Sequence, residues 1–170
     1  MSQTMTKVTL KGNPVTLIGS DPQIGSPAPD AKLTANDLST VQLSSYKGKK
    51  VILSVVPSLD TPVCDLQARR FNKEAAQLGG DVAILIISVD LPFAQKRWCG
   101  AAGADKVKTL SDYKDGNFGK AYGILIDGLK LLARSIFIVD EKGILRYKQI
   151  VPEIATEPNY DEALGALKSL

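Results

Sequence analysis

The reading of this chain turns on residues 51–64, VILSVVPSLDTPVC. Val51 to Val56 is a consecutive apolar, β-branched run, the pattern of a strand covered on both faces rather than one half exposed to water. Pro57 stops it. Asp60 or Thr61 can cap a helix, Pro62 suits the first helical position because its missing N–H would be unpaired there anyway, and the helix is predicted to run to about Leu78. Cys64 then falls in the first helical turn. Unpaired backbone N–H groups and the positive end of the helix dipole favour an anion at that place, so the position favours a thiolate, the nucleophilic form of cysteine. The competing reading is a small buried hydrophobe, the commonest fate of a free cysteine.

Downstream, Val63, Leu66, Phe71, Ala75 and Leu78 fall near one stripe of that helix, which Gly79-Gly80 ends. Residues 82–88 (VAILIIS) read as a second fully covered strand. Asp90 and Pro92 repeat the cap-and-proline pattern, predicting a helix over 92–101 with Cys99 near its carboxyl end. The glycine-bearing stretch 103–128, with a short strand candidate at 107–110 and a small helix at 117–122, reads as an insertion. Residues 135–139 and 144–151 around the turn 140–143 predict an antiparallel hairpin, followed by a helix at 160–169. Upstream, 6–10 and 15–19 alternate around Lys11-Gly12-Asn13-Pro14 and predict a hairpin with a four-residue turn. The segment 20–29 is irregular, and Leu33 and Val41 to Leu43 supply short strands. The order β-α-β-α-β-β-α gives an α/β protein with a mixed central sheet and helices on both faces, the order of the thioredoxin fold. The expected organisation is a single domain over 1–170, with 1–20 as an N-terminal β-hairpin extension.

Composition narrows the function. Hydrophobic residues at 44%, charged residues at 23% and a net charge of +3 that is spread along the chain argue against nucleic acid as a partner. The amino terminus has no signal-type apolar core and no run is long enough to cross a bilayer, so the expectation is a cytoplasmic protein without a membrane partner. Two cysteines and no histidine exclude the usual zinc ligand sets and any Cys–His or Ser–His pair. No metal or organic cofactor is expected.

Any activation of Cys64 beyond the helix terminus needs a partner from elsewhere in the fold. Gln67 and Ala68, stacked on it at i+3 and i+4, are not cations, and the neighbouring Asp65 would oppose a thiolate. Arg134 is the candidate. It interrupts the apolar run from Leu129 to Val139, where a guanidinium needs an anion or several acceptors, although an arginine snorkelling from a strand end is the competing reading.

Pro57, Thr61 and Cys64 form P-x-x-x-T-x-x-C, which resembles the active-site motif of the peroxiredoxins. PSLDTPVC at 57–64, together with SVDLPFAQKRWCG at 88–100, resembles the bacterial thiol peroxidase branch, the atypical two-cysteine kind, and the similarity extends from GNPVTL to TEPNYDEAL. The resemblance implies that Cys64 is the peroxidatic cysteine and Cys99 the resolving cysteine of the same subunit. Thr61 would hydrogen-bond to the thiol and to peroxide, Pro57 would shield the pocket, and Arg134 would favour the thiolate and orient the peroxide. The implied reaction reduces hydroperoxides through a Cys64 sulfenic acid and a Cys64–Cys99 disulfide, with thioredoxin as electron donor. A homodimer is also implied, for which Leu59, Ile124 and Leu125 are candidate interface residues.

Two other classes compete: a thiol–disulfide oxidoreductase, which generally wants C-x-x-C where this chain has Cys64 followed by Asp65, Leu66 and Gln67, and a peroxide-sensing switch. Because bonded cysteines need Cα atoms within about 7 Å, cysteines on two separate helices predict a reduced form with both helices intact and local unwinding on oxidation.

Overall fold

The computed structural model describes residues 3, 4 and 6–170. Its frame is a seven-stranded mixed sheet built from β4 (Lys32–Ala35), β5 (Thr40–Gln42), β6 (Lys50–Val55), β7 (Val82–Ser88), β8 (Lys108–Ser111), β10 (Ser135–Val139) and β11 (Leu145–Ile150), in the spatial order β11-β10-β6-β7-β8-β4-β5. The helices are α1 (Pro62–Leu78), α2 (Pro92–Ala102), α3 (Asn117–Tyr122) and α4 (Tyr160–Lys168). Strands β6, β7 and β8 run parallel, joined through α1 and α2, and the other neighbours are antiparallel.

The period-2 alternation of strand side chains sorts the interior into two layers. Val51, Leu53 and Val55 of β6, Leu85 and Ile87 of β7, and Phe137 and Val139 of β10 enter one cluster with Phe118 and Tyr122 of α3. Ile52, Ile84, Ile136 and Ile138 face the other way, onto Phe71 of α1 and Ala163, Leu164 and Leu167 of α4. Every residue of β10 is buried, which is why that strand reads as an unbroken apolar run rather than an alternating one. The turn that carries Cys64 lies on the second face, above the carboxyl ends of the parallel strands.

Strands β1 (Gln3–Thr4), β2 (Lys7–Leu10), β3 (Asn13–Ser20) and β9 (Leu125–Ile126) form a smaller sheet against the first face. The N-terminal hairpin is present, but its turn is two residues, not four. Lys11 and Gly12 both have positive φ, at 52° and 80°, the backbone of the mirror-image turns whose twist matches the flanking strands, and Asn13 and Pro14 belong to β3. The Glu153 carboxylate accepts from the backbone N–H groups of Ala155, Gly12 and Lys11, and these bonds lower its pKa to about 2. At Gly19, with φ of 126°, the Lys120 carbonyl of α3 stands where a side chain would begin, so β3 and α3 approach this closely only around glycine.

The stretch 103–128 is not an insertion. β8 is an internal strand, parallel to β7 on one side and antiparallel to β4 on the other, and at four residues it is too short to carry a periodic signal. The expected burial of Leu66 also fails. Leu66 is half exposed, and the residues of α1 that are fully buried are Cys64, Gln67, Ala68 and Phe71.

Candidate active site

Beyond β6 the chain keeps one more sheet contact, Val56 N donating to the Ile87 carbonyl at 3.0 Å, and then turns through buried Pro57 into α1. The turn is tied to the end of β7 by Asp90. Its carboxylate accepts from Ser58 Oγ at 2.6 Å, from Leu59 N at 2.8 Å and from Ser88 Oγ at 2.7 Å. The expected capping role of Asp90 is therefore corrected: Leu91 occupies the N-cap of α2, and Asp90 is spent on fixing the turn that carries the nucleophile candidate.

Thr61 is the N-cap residue of α1, but its hydroxyl makes no cap bond; it donates to the Ser58 carbonyl at 3.0 Å. The expected hydrogen bond between the Thr61 hydroxyl and Cys64 is not among the described bonds; the hydroxyl proton points back into the turn. The oxygen lone pairs remain available to accept.

Cys64 sits in the first turn of α1 with no exposed surface. Arg134 Nη2 donates to its Sγ at 3.3 Å. Arg134 is 2% exposed, so the snorkelling reading fails, and its other contacts are Nε to the Ile154 carbonyl at 2.7 Å and Nη1 to Gln67 Oε1 at 3.0 Å. Gln67 is itself held by Nε2 donating to Ser54 Oγ at 2.9 Å. None of the described salt bridges includes Arg134. A buried cation without a carboxylate is costly unless an anion completes its shell, and among the groups it touches the sulfur is the one that can become an anion. Two of the five guanidinium N–H groups stay uncommitted.

Asp65 does not point its charge at Cys64's arginine. Its Oδ2 accepts from Arg69 Nε at 2.9 Å and its Oδ1 from Trp98 Nε1 at 2.7 Å, so both oxygens face away along α1 and toward α2.

Cys99 lies in the last full turn of α2, partly exposed, with Sγ 3.5 Å from Thr109 Oγ1. Thr109 donates its own proton to Asn36 Oδ1 at 2.9 Å, which leaves the thiol as the donor in that weak pair. A cavity of about 300 Å³ adjoins this thiol, lined by Asn36, Asp37, Ser39, Val107 and Lys108 among others. Both cysteines are unbonded and both helices intact. The structure thus brings Cys64 and Arg134 together, with Pro57 and Thr61 in the adjoining turn, but does not bring Cys99 to them. The groups the two sulfurs reach for, Arg134 beside β10 and Thr109 in β8, stand three strand spacings apart, roughly 14 Å at about 4.8 Å each.

Gln67 and Asp90 are the positioning residues that sequence reasoning missed. A glutamine stacked on the cysteine at i+3 was the available signal for the first; the serine-rich pair PSLD and SVD was the signal for the second. Among the described residues there is no group of three or more His, Cys, Asp or Glu placed to hold a metal ion, and no helix long and apolar enough to cross a membrane. The interface candidates Leu59, Ile124 and Leu125 are at most 4% exposed within the chain and cannot line a contact surface, whereas Leu66, Leu91 and Phe93 are 51%, 52% and 66% exposed.

A mixed sheet whose first parallel strand leads through a proline turn to a helix-borne cysteine, faced by a buried arginine, defines a redox-type thiol protein on a thioredoxin-like fold. Comparison with known proteins agrees: the Redoxin family profile matches residues 23–164. The thiol peroxidase of Bacillus subtilis (strain 168) is 52% identical over 166 residues, 98% of this chain and 99% of that protein. The thiol peroxidase of Halalkalibacterium halodurans is 51% identical over 165 residues, 97% and 99% of the two chains. Among solved structures, a peroxiredoxin-like protein from Aquifex aeolicus superposes with a TM-score of 0.90 at 40% identity, covering 99% of both chains. The chain belongs to the redoxin family and, within it, to the thiol peroxidases, peroxiredoxin-type oxidoreductases.

Proposed function

We propose that this protein reduces hydrogen peroxide and organic hydroperoxides with Cys64 as the peroxidatic and Cys99 as the resolving cysteine. The observation that carries the reading is the Arg134 Nη2 contact to Cys64 Sγ, made by a buried guanidinium that takes part in none of the described ion pairs. In the first step the Cys64 thiolate attacks one oxygen of the hydroperoxide. An S–O bond forms, the O–O bond breaks, and the leaving alkoxide or hydroxide takes a proton to become alcohol or water. Arg134 holds the sulfur anion, and its two uncommitted N–H groups meet the charge that develops on the oxygens. Thr61, its own proton given to Ser58, accepts from the O–H of the incoming peroxide. Pro57 closes the turn against water.

In the second step Cys99 attacks the Cys64 sulfenic acid, forming the disulfide and releasing water. In the third a dithiol reductant of the thioredoxin class restores both thiols through a mixed disulfide and leaves as a disulfide itself. No metal or organic cofactor enters the scheme. The working form is a single-domain protein of the cytoplasm, paired as a homodimer through the exposed apolar rim that includes Leu66, Leu91 and Phe93 rather than through Leu59, Ile124 or Leu125.

The test is peroxide consumption with thioredoxin, its reductase and NADPH, run on the wild-type chain beside Cys64→Ser and Cys99→Ser. The expected result is turnover by the wild type, none by Cys64→Ser, and about one equivalent of peroxide consumed by Cys99→Ser before it stops. Full activity in Cys64→Ser would refute the assignment. Disulfide formation in the wild type without turnover by any dithiol would convert the reading to a sensing switch.

A further inference from the structure

The residue after one cysteine is bonded to the residue before the other. Asp65 follows Cys64 and Trp98 precedes Cys99, and Trp98 Nε1 donates to Asp65 Oδ1 at 2.7 Å. Arg69, one turn along α1, donates to the second carboxylate oxygen at 2.9 Å and sets its guanidinium 6.0 Å from the centroid of the Trp98 ring. The ring also packs on the small cluster of Val56, Leu59, Cys64, Ala68 and Ile86. The first turn of α1 and the last turn of α2 are thereby joined by one charge-assisted bond, a class shorter and stronger than neutral ones.

That bond exists only while both turns are helical. The sulfurs face opposite ways along the sheet, toward Arg134 and toward Thr109, so a Cys64–Cys99 disulfide requires at least one of the two turns to unwind. Unwinding the start of α1 carries Asp65 away, and unwinding the end of α2 carries Trp98 away. An interaction made in the closed form and lost in the open one shifts the equilibrium between them by its full free energy, whichever turn moves first.

The geometry points to Asp65 and Trp98 as positioning residues that latch the two cysteine segments closed and so set the lifetime of the Cys64 sulfenic acid. This inference rests on the peroxidase reading above. The sulfenic acid has two fates. Attack by the Cys99 thiol gives the disulfide and water, and needs the latch open. Attack of the sulfenate on a second hydroperoxide inserts another oxygen, giving sulfinic acid and one more alcohol or water, and proceeds with the latch closed. A tight latch therefore favours over-oxidation at high peroxide, and a weakened latch favours the disulfide.

The test uses Trp98→Phe, which keeps an aromatic ring and removes the N–H, and Asp65→Ala, which removes the acceptor. In the reduced proteins, amide hydrogen exchange should quicken about fivefold or more in both segments for either substitution: Trp98→Phe loosens 62–66 and Asp65→Ala loosens 96–102. A merely local role would move only the substituted segment. In single-turnover mixing with hydrogen peroxide, disulfide formation should quicken by a similar factor, and the sulfinic fraction of Cys64 at excess peroxide, read by mass spectrometry, should fall correspondingly. The double variant should match Asp65→Ala, which already lacks the Trp98 bond together with the one from Arg69. Additive effects, or unchanged exchange in the partner segment, would overturn the latch. Absence of any Cys64–Cys99 disulfide in the oxidised wild type would instead overturn Cys99 as the resolving cysteine, with the exchange experiment still deciding whether the two segments are coupled.

Discussion

The two cysteines occupy opposite kinds of site. Cys64 has no exposed surface and is reached by a chain of bonds from Ser54 through Gln67 to Arg134, anchored on the backbone of residue 154 and on the interior of the sheet. Cys99 is partly exposed, holds one weak S–H contact to Thr109, and stands in the final helical turn before Gly103, whose φ of 62° ends the helix in the left-handed region. The difference follows the chemistry proposed for each. A group that meets a small substrate gains from being held where charge develops, since donors already oriented cost no reorganisation in the transition state. A group that must travel to its partner gains from weak local ties, because every bond that holds it in place adds to the cost of opening.

On that contrast, perturbing the site around Cys64 should be severe and perturbing the one around Cys99 mild. The largest effect belongs to Arg134. Arg134→Ala strips the donor from Cys64 and leaves the Gln67 and Ile154 oxygens without their partner, so the peroxide-reduction rate should fall by about 100- to 1,000-fold, the cost of removing a donor aimed at developing charge. Alkylation of Cys64 by iodoacetamide at neutral pH should slow in parallel. Arg134→Lys should recover only part of the rate, because one ammonium cannot reproduce three bonds made by a planar fork. An Arg134→Ala protein that alkylates and turns over at the wild-type rate would mean that the sulfur is activated by the helix terminus alone.

Gln67→Leu comes next. It leaves Ser54 Oγ and one guanidinium N–H of Arg134 without a partner in a buried setting, at about 1–3 kcal/mol of stability. The guanidinium loses the bond that fixes its rotation, so the rate should drop about tenfold with little change in the melting behaviour of the Cys99 segment. Gln67→Glu should separate charge from shape: it keeps the acceptor, adds a carboxylate beside the arginine, and gives the cation an anion other than sulfur. The expectation is a stable protein with a slower thiol. A Gln67→Glu enzyme as fast as the wild type would show that Arg134 serves the fold rather than the sulfur.

Much of this arrangement was legible in the residues and some was not, for physical reasons. Two fully covered strands, residues 51–56 and 82–88, announce themselves as consecutive apolar runs because a parallel sheet buried on both faces needs no polar alternation. Pro62 and Pro92 mark helix starts for a local steric reason and lie at the first position of α1 and α2. Arg134 stood out because a guanidinium inside an apolar run requires acceptors, though only the fold could say whether it turned inward. The rest depends on what packs opposite. Asp90 next to a helix start is chemically indistinguishable from a cap until the Ser58 turn is placed beside it. Leu66 and Gln67 exchange their expected sides because the first turn of α1 faces a polar arginine shell, not the apolar cluster that receives Phe71 further along. The burial of Leu59, Ile124 and Leu125 likewise comes from contacts distant in sequence, which hydrophobicity alone does not assign to a core or to an interface.

The smallest expected effect lies at the mobile site and sharpens the contrast most. Thr109→Val removes the acceptor of the Cys99 thiol and the donor to Asn36 while nearly preserving side-chain volume. Asn36 is only half buried and can replace the lost bond with water, so the stability cost should be about 1 kcal/mol or less. The sulfur loses a weak contact that is made only with the end of α2 folded. Release of Cys99 should therefore be no slower than in the wild type, and steady-state turnover should stay within about twofold. A tenfold loss of turnover in Thr109→Val, with first-step oxidation of Cys64 unaffected in single-turnover mixing, would mean that Cys99 is oriented by Thr109 for attack. The resolving site would then be preorganised in the same sense as the nucleophile's, and the proposed division between a rigid cysteine and a travelling one would fail.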